Sequence, residues 1–258
     1  MRAAVAGATL ALVVLGGCAE PQSTLLAQQQ QAANEPTQGR RLFYIGLGLY
    51  SESWSENDVA ELADKLQSAS RYRVVAMIAS NVTSAARQYP IADDAAIAAL
   101  VDAVAQQAGP DDLVFVDISS HGSPRVLARK VGDGPTTALS SRELARKLEP
   151  LAGHPTVVVI SACYSGSLIR DLRQPERIII TAARADRSSF GCAPGNRHTF
   201  FGDAELHAFG QQDRSLHQVF TAIRADVAQM EAESRYQPSE PQVWVGADAA
   251  DLYDAPVF

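Results

Sequence analysis

Two short segments of the sequence combine residue types that can carry out nucleophilic catalysis. "SSHG" places His121 three residues past the end of an apolar run, and "ACYSG" places Cys163 two residues past the end of another. A cysteine thiolate is a strong nucleophile, and a nearby imidazole can take the thiol proton or protonate a leaving amine. Gly122 lets the backbone approach a substrate closely, and its N–H, with that of Cys163, can hold a developing oxyanion. These residues predict a cysteine–histidine dyad if the fold brings the two segments together.

The elements needed to position such a dyad can be predicted from hydrophobic patterns. Apolar runs predict six strands, at residues 41–49, 72–79, 112–118, 156–161, 177–183 and 242–245. Helical spacing and capping residues predict the intervening helices after Ser55, over 94–108, after Ser140 and after Asp213. This alternation indicates an α/β fold with a mostly parallel sheet covered on both faces. Ligands bind beyond the carboxyl ends of such strands, where His121 and Cys163 fall.

The N-terminal residues indicate export. In residues 1–18, Arg2 precedes an uncharged apolar run that is too short to span a bilayer as a stable anchor, so this segment predicts a secretory signal peptide. Residues 19–40 are rich in Gln, Ala and Pro and predict a flexible tether. Residues 41–258 are then long enough for a single domain with one core.

The signal segment ends in "LGGC", which resembles the lipobox of bacterial lipoproteins. The resemblance implies cleavage before Cys18 and a lipid on its sulfur, and hence a domain anchored on the periplasmic side of the bacterial cell envelope. Ala19, rather than an aspartate, after this cysteine favours the outer membrane over the inner one. The alternative is an ordinary signal peptide with an incidental cysteine.

Charge and composition argue against several classes of partner. The chain has 22 basic and 29 acidic residues, a formal net charge of −7 and no Lys/Arg cluster, which disfavours nucleic acid as a partner. "GLG" at 46–48 lacks the third glycine of a dinucleotide fingerprint, because Ser51 occupies that position. We expect no metal and no cofactor, since no metal-ligand spacing links the remaining histidines, His154, His198, His207 and His217.

Four segments together resemble the legumain-like cysteine peptidases of the caspase-hemoglobinase superfamily: "DISSHGS", "VVVISACYSGS", "TAARADRSSFGC" and "FFGD". The similarity runs from about Arg41 to Val245. It implies a caspase-like three-layer αβα sandwich around a six-stranded sheet, and a peptide or protein substrate. It also implies that Cys163 is the nucleophile and His121 the general acid/base of an endopeptidase that works through an acyl-enzyme.

The substrate pocket departs from the legumain pattern. Legumains cleave after asparagine by means of an arginine and two acids, and one of these acids stands two residues before the cysteine, where this chain has Ser161. The segment 46–58 matches too poorly to place the arginine or the asparagine that supports the histidine. The resemblance and the position of the crevice place Ser161 and Ser189 at the pocket. We therefore expect a neutral or small side chain at the cleavage position.

Other interpretations of the same residues remain open. Cys163 and Cys192 can form a disulfide outside the cytoplasm, which would abolish the nucleophile. Ser165 is a weaker nucleophile candidate, because the Gly-x-Ser-x-Gly elbow is missing. The domain can also be an inactive, peptidase-like binding module of an envelope assembly, or a transpeptidase or ligase that uses the same dyad.

Overall fold

The computed structural model describes residues 20–34, 39–84 and 87–256, and its centre is a six-stranded sheet. Along the chain the strands are β1 Arg41–Gly48, β2 Arg73–Ser80, β3 Leu113–Ser119, β4 Gly122–Ser123, β5 Val126–Arg129, β6 Thr137–Ser140, β7 Thr156–Ser161, β8 Arg177–Thr181 and β9 Gln242–Val245. The central sheet has the order β2-β1-β3-β7-β8-β9, and β4, β5 and β6 form a separate antiparallel sheet. The strand predictions for the central sheet are confirmed, with ends that differ by at most two residues.

Helices cover both faces of the central sheet. They are α1 Gln22–Asn34, α2 Ser53–Ala69, α3 Asp94–Gln107, α4 Ser141–Lys147, α5 Ile169–Leu172, α6 Phe200–Phe209, α7 Leu216–Glu233 and α8 Ala250–Asp254. One apolar core lies between the sheet and α1, α3 and α4, and a second lies between the sheet and α2, α6 and α7. The predicted three-layer αβα sandwich is therefore confirmed.

The pairing within the sheet sets where the strands end. In the central sheet, β2, β1, β3, β7 and β8 run parallel to one another, and β9 runs antiparallel to β8. Their residues are almost all buried, as expected for strands with helices on both faces. Ser119 of β3 is in register with Ser161 of β7, so these two strands end side by side at what we call the catalytic edge.

Helix α2 begins before the predicted cap. Ser55 lies inside the helix, and Glu52 occupies the position that precedes its first turn. The Ser55 hydroxyl donates to the Ser119 carbonyl at 2.8 Å and accepts from the Tyr50 N–H at 3.2 Å. This hydroxyl thus joins the start of α2 to the end of β3 instead of capping the helix.

The prediction of a flexible tether over residues 19–40 is wrong for its central part, which forms α1. Leu25 and Ala33 of this helix are buried against the domain, and the Gln29 side-chain oxygen accepts the Ile78 N–H of strand β2 at 2.8 Å. Composition did not reveal this packing because only a few apolar side chains make the contact. The predicted signal peptide and Cys18 lie outside the described residues. No helix in the described part of the chain is long and apolar enough to cross a membrane.

Candidate active site

His121 and Cys163 lie next to each other at the catalytic edge. Each residue is two positions beyond the in-register pair formed by Ser119 and Ser161. The Ser120 N–H donates to the Ser161 carbonyl at 3.0 Å, so the pairing of the two chains continues past the strand ends. The fold therefore brings the two residues that the sequence predicts to react to the same edge of the sheet, and both remain partly exposed to solvent.

Gly122 fits closely against the backbone of Cys163. A Cβ at this position would collide with the Cys163 carbonyl oxygen, which explains why a glycine follows His121. The Cys163 N–H has no hydrogen-bond partner among the described residues, so it is available to a ligand. Just beyond, Tyr164 has a left-handed backbone with φ of 57°, which turns the chain sharply after the cysteine.

Two aromatic rings and a carboxylate hold the His121 imidazole. The rings of Tyr50 and Trp54 meet it edge-on, at centroid distances of 4.4 and 5.1 Å. Glu52 Oε2 lies 3.7 Å from His121 Nε2, and it is buried without a hydrogen-bond partner among the described residues. Because Nε2 faces Glu52, Nδ1 is the ring nitrogen that remains for proton transfer.

The surroundings of His121 act on its pKa in opposite directions. Burial lowers the pKa of the imidazole below its ordinary value, whereas the Glu52 carboxylate raises it. Glu52 itself stands at the N-terminus of α2, where the helix dipole stabilises a negative charge. The net effect favours a neutral imidazole at neutral pH, which is the form that can accept a thiol proton.

The segment after β8 contacts the Cys163 thiol from the side opposite to β3. The Ser189 N–H lies 3.3 Å from Cys163 Sγ, the Ser189 carbonyl 3.4 Å and the Ser189 hydroxyl 3.8 Å. The Tyr164 N–H donates to the Arg187 carbonyl at 2.7 Å and fastens the same segment to the turn after Cys163. Ser189, predicted at the substrate pocket, thus lies directly beside the thiol.

Ser161, the other residue predicted at the pocket, is buried in the interior of the domain. It is 1 % exposed, and its hydroxyl is 3.0 Å from Thr199 Oγ1. Thr199 donates its only hydroxyl hydrogen to Asp58 at 2.9 Å, so Ser161 must be the donor in its bond to Thr199. Asp58 also accepts the Ser119 hydroxyl at 2.8 Å. This buried network joins the ends of β3 and β7 to the starts of α2 and α6.

A deeper buried cluster consists of Tyr44, Asp117 and Glu205. The Tyr44 oxygen lies 2.7 Å from both the Val59 carbonyl and Asp117 Oδ2. The Tyr44 hydroxyl has one hydrogen, which it shares between these two acceptors. Burial, together with the nearby Asp58 charge, raises the pKa of Asp117 to about 7. Burial also raises the pKa of Glu205, whose Oε1 has no partner among the described residues.

The second cysteine of the domain lies in the loop beyond Ser189. Cys163 and Cys192 are both free thiols in the structure, so the predicted alternative of a disulfide between them is not the described state. Burial raises the pKa of the Cys192 thiol, and the proximity of Cys163 adds to the effect. No group of three or more His, Cys, Asp or Glu side chains within residues 20–34, 39–84 and 87–256 is placed to hold a metal ion.

Sequence reasoning missed the residues that surround His121. Tyr50, Glu52 and Trp54 lie in the segment 46–58, which resembled no relative closely enough to assign roles. Their position directly after β1 is the signal that could have found them, because β1 is the neighbour of β3 and ends at the same edge. A carboxylate thus stands against the imidazole, in the segment where the resemblance could not place the supporting asparagine.

Comparisons with known proteins agree with this geometry. Residues 61–250 match the Peptidase C13 family. Caspase-1 from Spodoptera frugiperda has a TM-score of 0.54 and 17 % identity, over 83 % of this chain and 89 % of that one. The structure titled pro-sf-caspase-1 has a TM-score of 0.56 and 17 % identity, over 88 % and 97 % of the two chains. No curated protein matches the chain.

The likeness to the caspases, at this identity, establishes the fold, which is caspase-like. The family match is broader evidence, because it spans most of the chain and includes both His121 and Cys163. The resemblance to legumain-like peptidases of the caspase-hemoglobinase superfamily is confirmed by these two findings together. The chain has a cysteine-peptidase fold and belongs to the Peptidase C13 family.

Proposed function

We propose that the protein is a cysteine endopeptidase in which Cys163 is the nucleophile and His121 the general acid/base. The observation that carries this proposal is the position of the two side chains, which extend from the paired ends of β3 and β7 with Glu52 against the imidazole. A binding module needs neither a partly exposed thiol nor an imidazole fixed beside it. The free N–H of Cys163 supports the same reading, since it can bind the oxyanion of an acyl-transfer intermediate together with the Gly122 N–H.

The reaction has two stages. His121 takes the thiol proton, and the Cys163 sulfur attacks the peptide carbonyl carbon to form a C–S bond and an oxyanion. When the oxyanion collapses, the C–N bond breaks, and His121 gives the proton to the leaving amine. Water then attacks the thioester, His121 accepts its proton, and breakage of the C–S bond releases the acid and restores the thiol. An amine in place of water would give the transpeptidase or ligase reaction.

Glu52 has the role of a positioning residue in this scheme. Its carboxylate faces Nε2 and fixes the ring with Nδ1 available to Cys163. It also stabilises the imidazolium that exists after the thiol has lost its proton. The dyad is thereby supported by a carboxylate.

We also propose that the protein is a lipoprotein of the cell envelope, anchored through Cys18 on the periplasmic side. The support is the sequence "LGGC" after an uncharged apolar run. Metabolic incorporation of a labelled fatty acid into the protein is expected, and the substitution Cys18→Ser should abolish it. Equal incorporation in the Cys18→Ser variant would overturn the anchor.

Covalent labelling of the thiol tests the proposed function. A peptidyl vinyl sulfone should label Cys163, and His121→Ala should slow this labelling roughly a hundredfold, because the imidazole no longer activates the thiol. Glu52→Gln should slow it about tenfold, as loss of an orienting group does. The imidazole-dependent part of its pH profile should also move to lower pH, since Glu52 raises the pKa of His121. Mass spectrometry across a pH series measures all three effects.

The matched control is alkylation of the same variants after unfolding in urea, which should proceed at one common rate. Labelling of folded protein that is equally fast with and without His121 contradicts the peptidase proposal. It would favour the alternative of an inactive, peptidase-like binding module.

A further inference from the structure

Three aromatic rings from separate parts of the chain meet next to the segment that contacts the thiol. Phe190 lies in the segment after β8, Phe200 begins α6, and Tyr236 follows α7. The Phe190 and Tyr236 rings stack face to face at 4.2 Å with an interplanar angle of 6°, and Phe200 lies 6.1 Å from Tyr236. The Phe200 N–H donates to the Phe190 carbonyl at 3.1 Å. We call these three residues the aromatic shelf.

Buried contacts fix the backbone of Tyr236. Arg235 turns the chain out of α7 with φ of 58°, and the Tyr236 N–H donates to the Glu231 carbonyl at 2.9 Å. Glu231 is only 2 % exposed, and its two carboxylate oxygens accept the Ser239 N–H at 3.1 and 3.0 Å. A carboxylate is thus buried in order to hold the turn that carries Tyr236. The turn is preorganised, which lowers the entropy cost of binding at its surface.

The shelf nevertheless leaves apolar surface open to solvent. Tyr236 is 48 % exposed, and only Val131 is a comparably exposed large apolar residue within the described ranges. Fixed tyrosine rings of this kind are typical of binding surfaces, because they offer a large contact area at a low entropy cost. Arg184 pairs with Glu240, four residues beyond Tyr236 in the chain, at 2.6 Å.

The order of the strands determines which part of a peptide can reach the shelf. Cys163 follows β7, with β3 on one side and β8 on the other. The leaving amine must face His121, which follows β3, so the acyl part of the substrate extends toward the segment after β8. Ser189 of that segment contacts the thiol, and Phe190 is the next residue. A peptide advances at most about 3.5 Å per residue, so the shelf lies within a few residues of the reacting carbonyl.

We propose that the aromatic shelf selects substrates with a bulky apolar side chain, aromatic or leucine-like, within three residues on the amino side of the cleaved bond. This inference rests on the proposed function, because the direction of the peptide follows from the roles of His121 and Cys163. Tyr236 is its specificity-determining residue. Tyr236 provides the exposed ring, and the rings of Phe190 and Phe200 pack against it.

Affinity selection without turnover tests the shelf. The Cys163→Ala variant is incubated with a library of neutral decapeptides in which each position carries either phenylalanine or alanine, and mass spectrometry measures which peptides bind. Phenylalanine should be enriched about tenfold at one or two neighbouring positions, as expected for one aromatic contact. Tyr236→Ala in this background should reduce the enrichment to about twofold, and Tyr236→Phe should preserve it, because the ring face remains.

The outcomes separate this inference from the proposed function. No enrichment of phenylalanine at any position overturns the shelf, and so does an enrichment that Tyr236→Ala leaves unchanged. The comparison of phenylalanine with alanine on the unaltered shelf stays decisive even if Tyr236→Ala unfolds. Cleavage of the same library by the protein with its thiol intact is measured in parallel. Enrichment without cleavage would support the aromatic shelf and contradict the proposed hydrolysis. Cleavage without enrichment would support hydrolysis and contradict the aromatic shelf.

Discussion

Replacing Cys163 with alanine is expected to reduce peptide cleavage by more than about a thousandfold, because the acyl-enzyme can no longer form. The fold should survive, since the thiol is partly exposed and its hydrogen bonds among the described residues are with Ser189. The measurement is a mass-spectrometric scan of a diverse peptide library incubated with each protein. The peptides that only the intact protein cuts would also report what the pocket accepts beside Ser189, where a neutral or small side chain is expected.

The matched control is Cys192→Ala, which removes the other thiol of the domain. Cys192 lies beyond Ser189 in the same loop and has no role in the proposed mechanism, so its variant should still cut the library. Cleavage of the same bonds by Cys163→Ala would show that the nucleophile is wrongly assigned. Loss of cleavage in both variants would instead point to a role of the second thiol.

The second large effect concerns stability. The substitution Asp117→Asn should raise the free energy of unfolding at pH 8 by up to about 4 kcal/mol, because an amide keeps the contact with Tyr44 without an ionisable group. The pKa of Asp117 is about 7 in the folded state, far above its ordinary value. The Asp117 carboxyl therefore holds its proton more tightly in the folded state, and its contribution to the stability of the protein falls as the pH rises from about 4 to about 7.

Urea unfolding at a series of pH values measures this effect. The two proteins should have similar stability near pH 4, and Asp117→Asn should become the more stable one as the pH rises. Glu205 should leave a smaller decline in the variant, because burial raises its pKa as well. The exposed Asp133 provides the control, since Asp133→Asn should leave the profile unchanged. A variant profile that runs parallel to the unmodified one at every pH would contradict a protonated Asp117.

The sequence was informative where one local pattern determined the outcome. Continuous β-branched runs are incompatible with anything but buried strands, and the position of a residue after such a run was enough to nominate His121 and Cys163. Glu52 could not be found in this way. Its relation to His121 depends on the pairing of β1 with β3, which joins residues far apart in the chain.

Features made from several distant segments were also beyond sequence reasoning. The aromatic shelf requires a ring from each of three elements, and no local pattern marks Phe190 and Tyr236 as neighbours. The packing of α1 escaped notice for the opposite reason. Its polar composition is that of a tether, and the contact depends on one glutamine oxygen and a few small or apolar side chains. At the aromatic shelf and at α1, tertiary contacts thus decide the structure more than the local sequence does.

Helix α1 has a consequence for how copies of the chain can associate. A sheet with two free edge strands can recruit new strands at both sides and grow into fibres. Here the Gln29 side-chain oxygen accepts the Ile78 N–H on the outer side of β2, and α1 lies along that edge. The other edge strand of the central sheet is β9, which pairs with a strand on one side only. Two chains that paired through β9 would keep only β2 as an edge of the central sheet, and α1 hinders the addition of a further strand there.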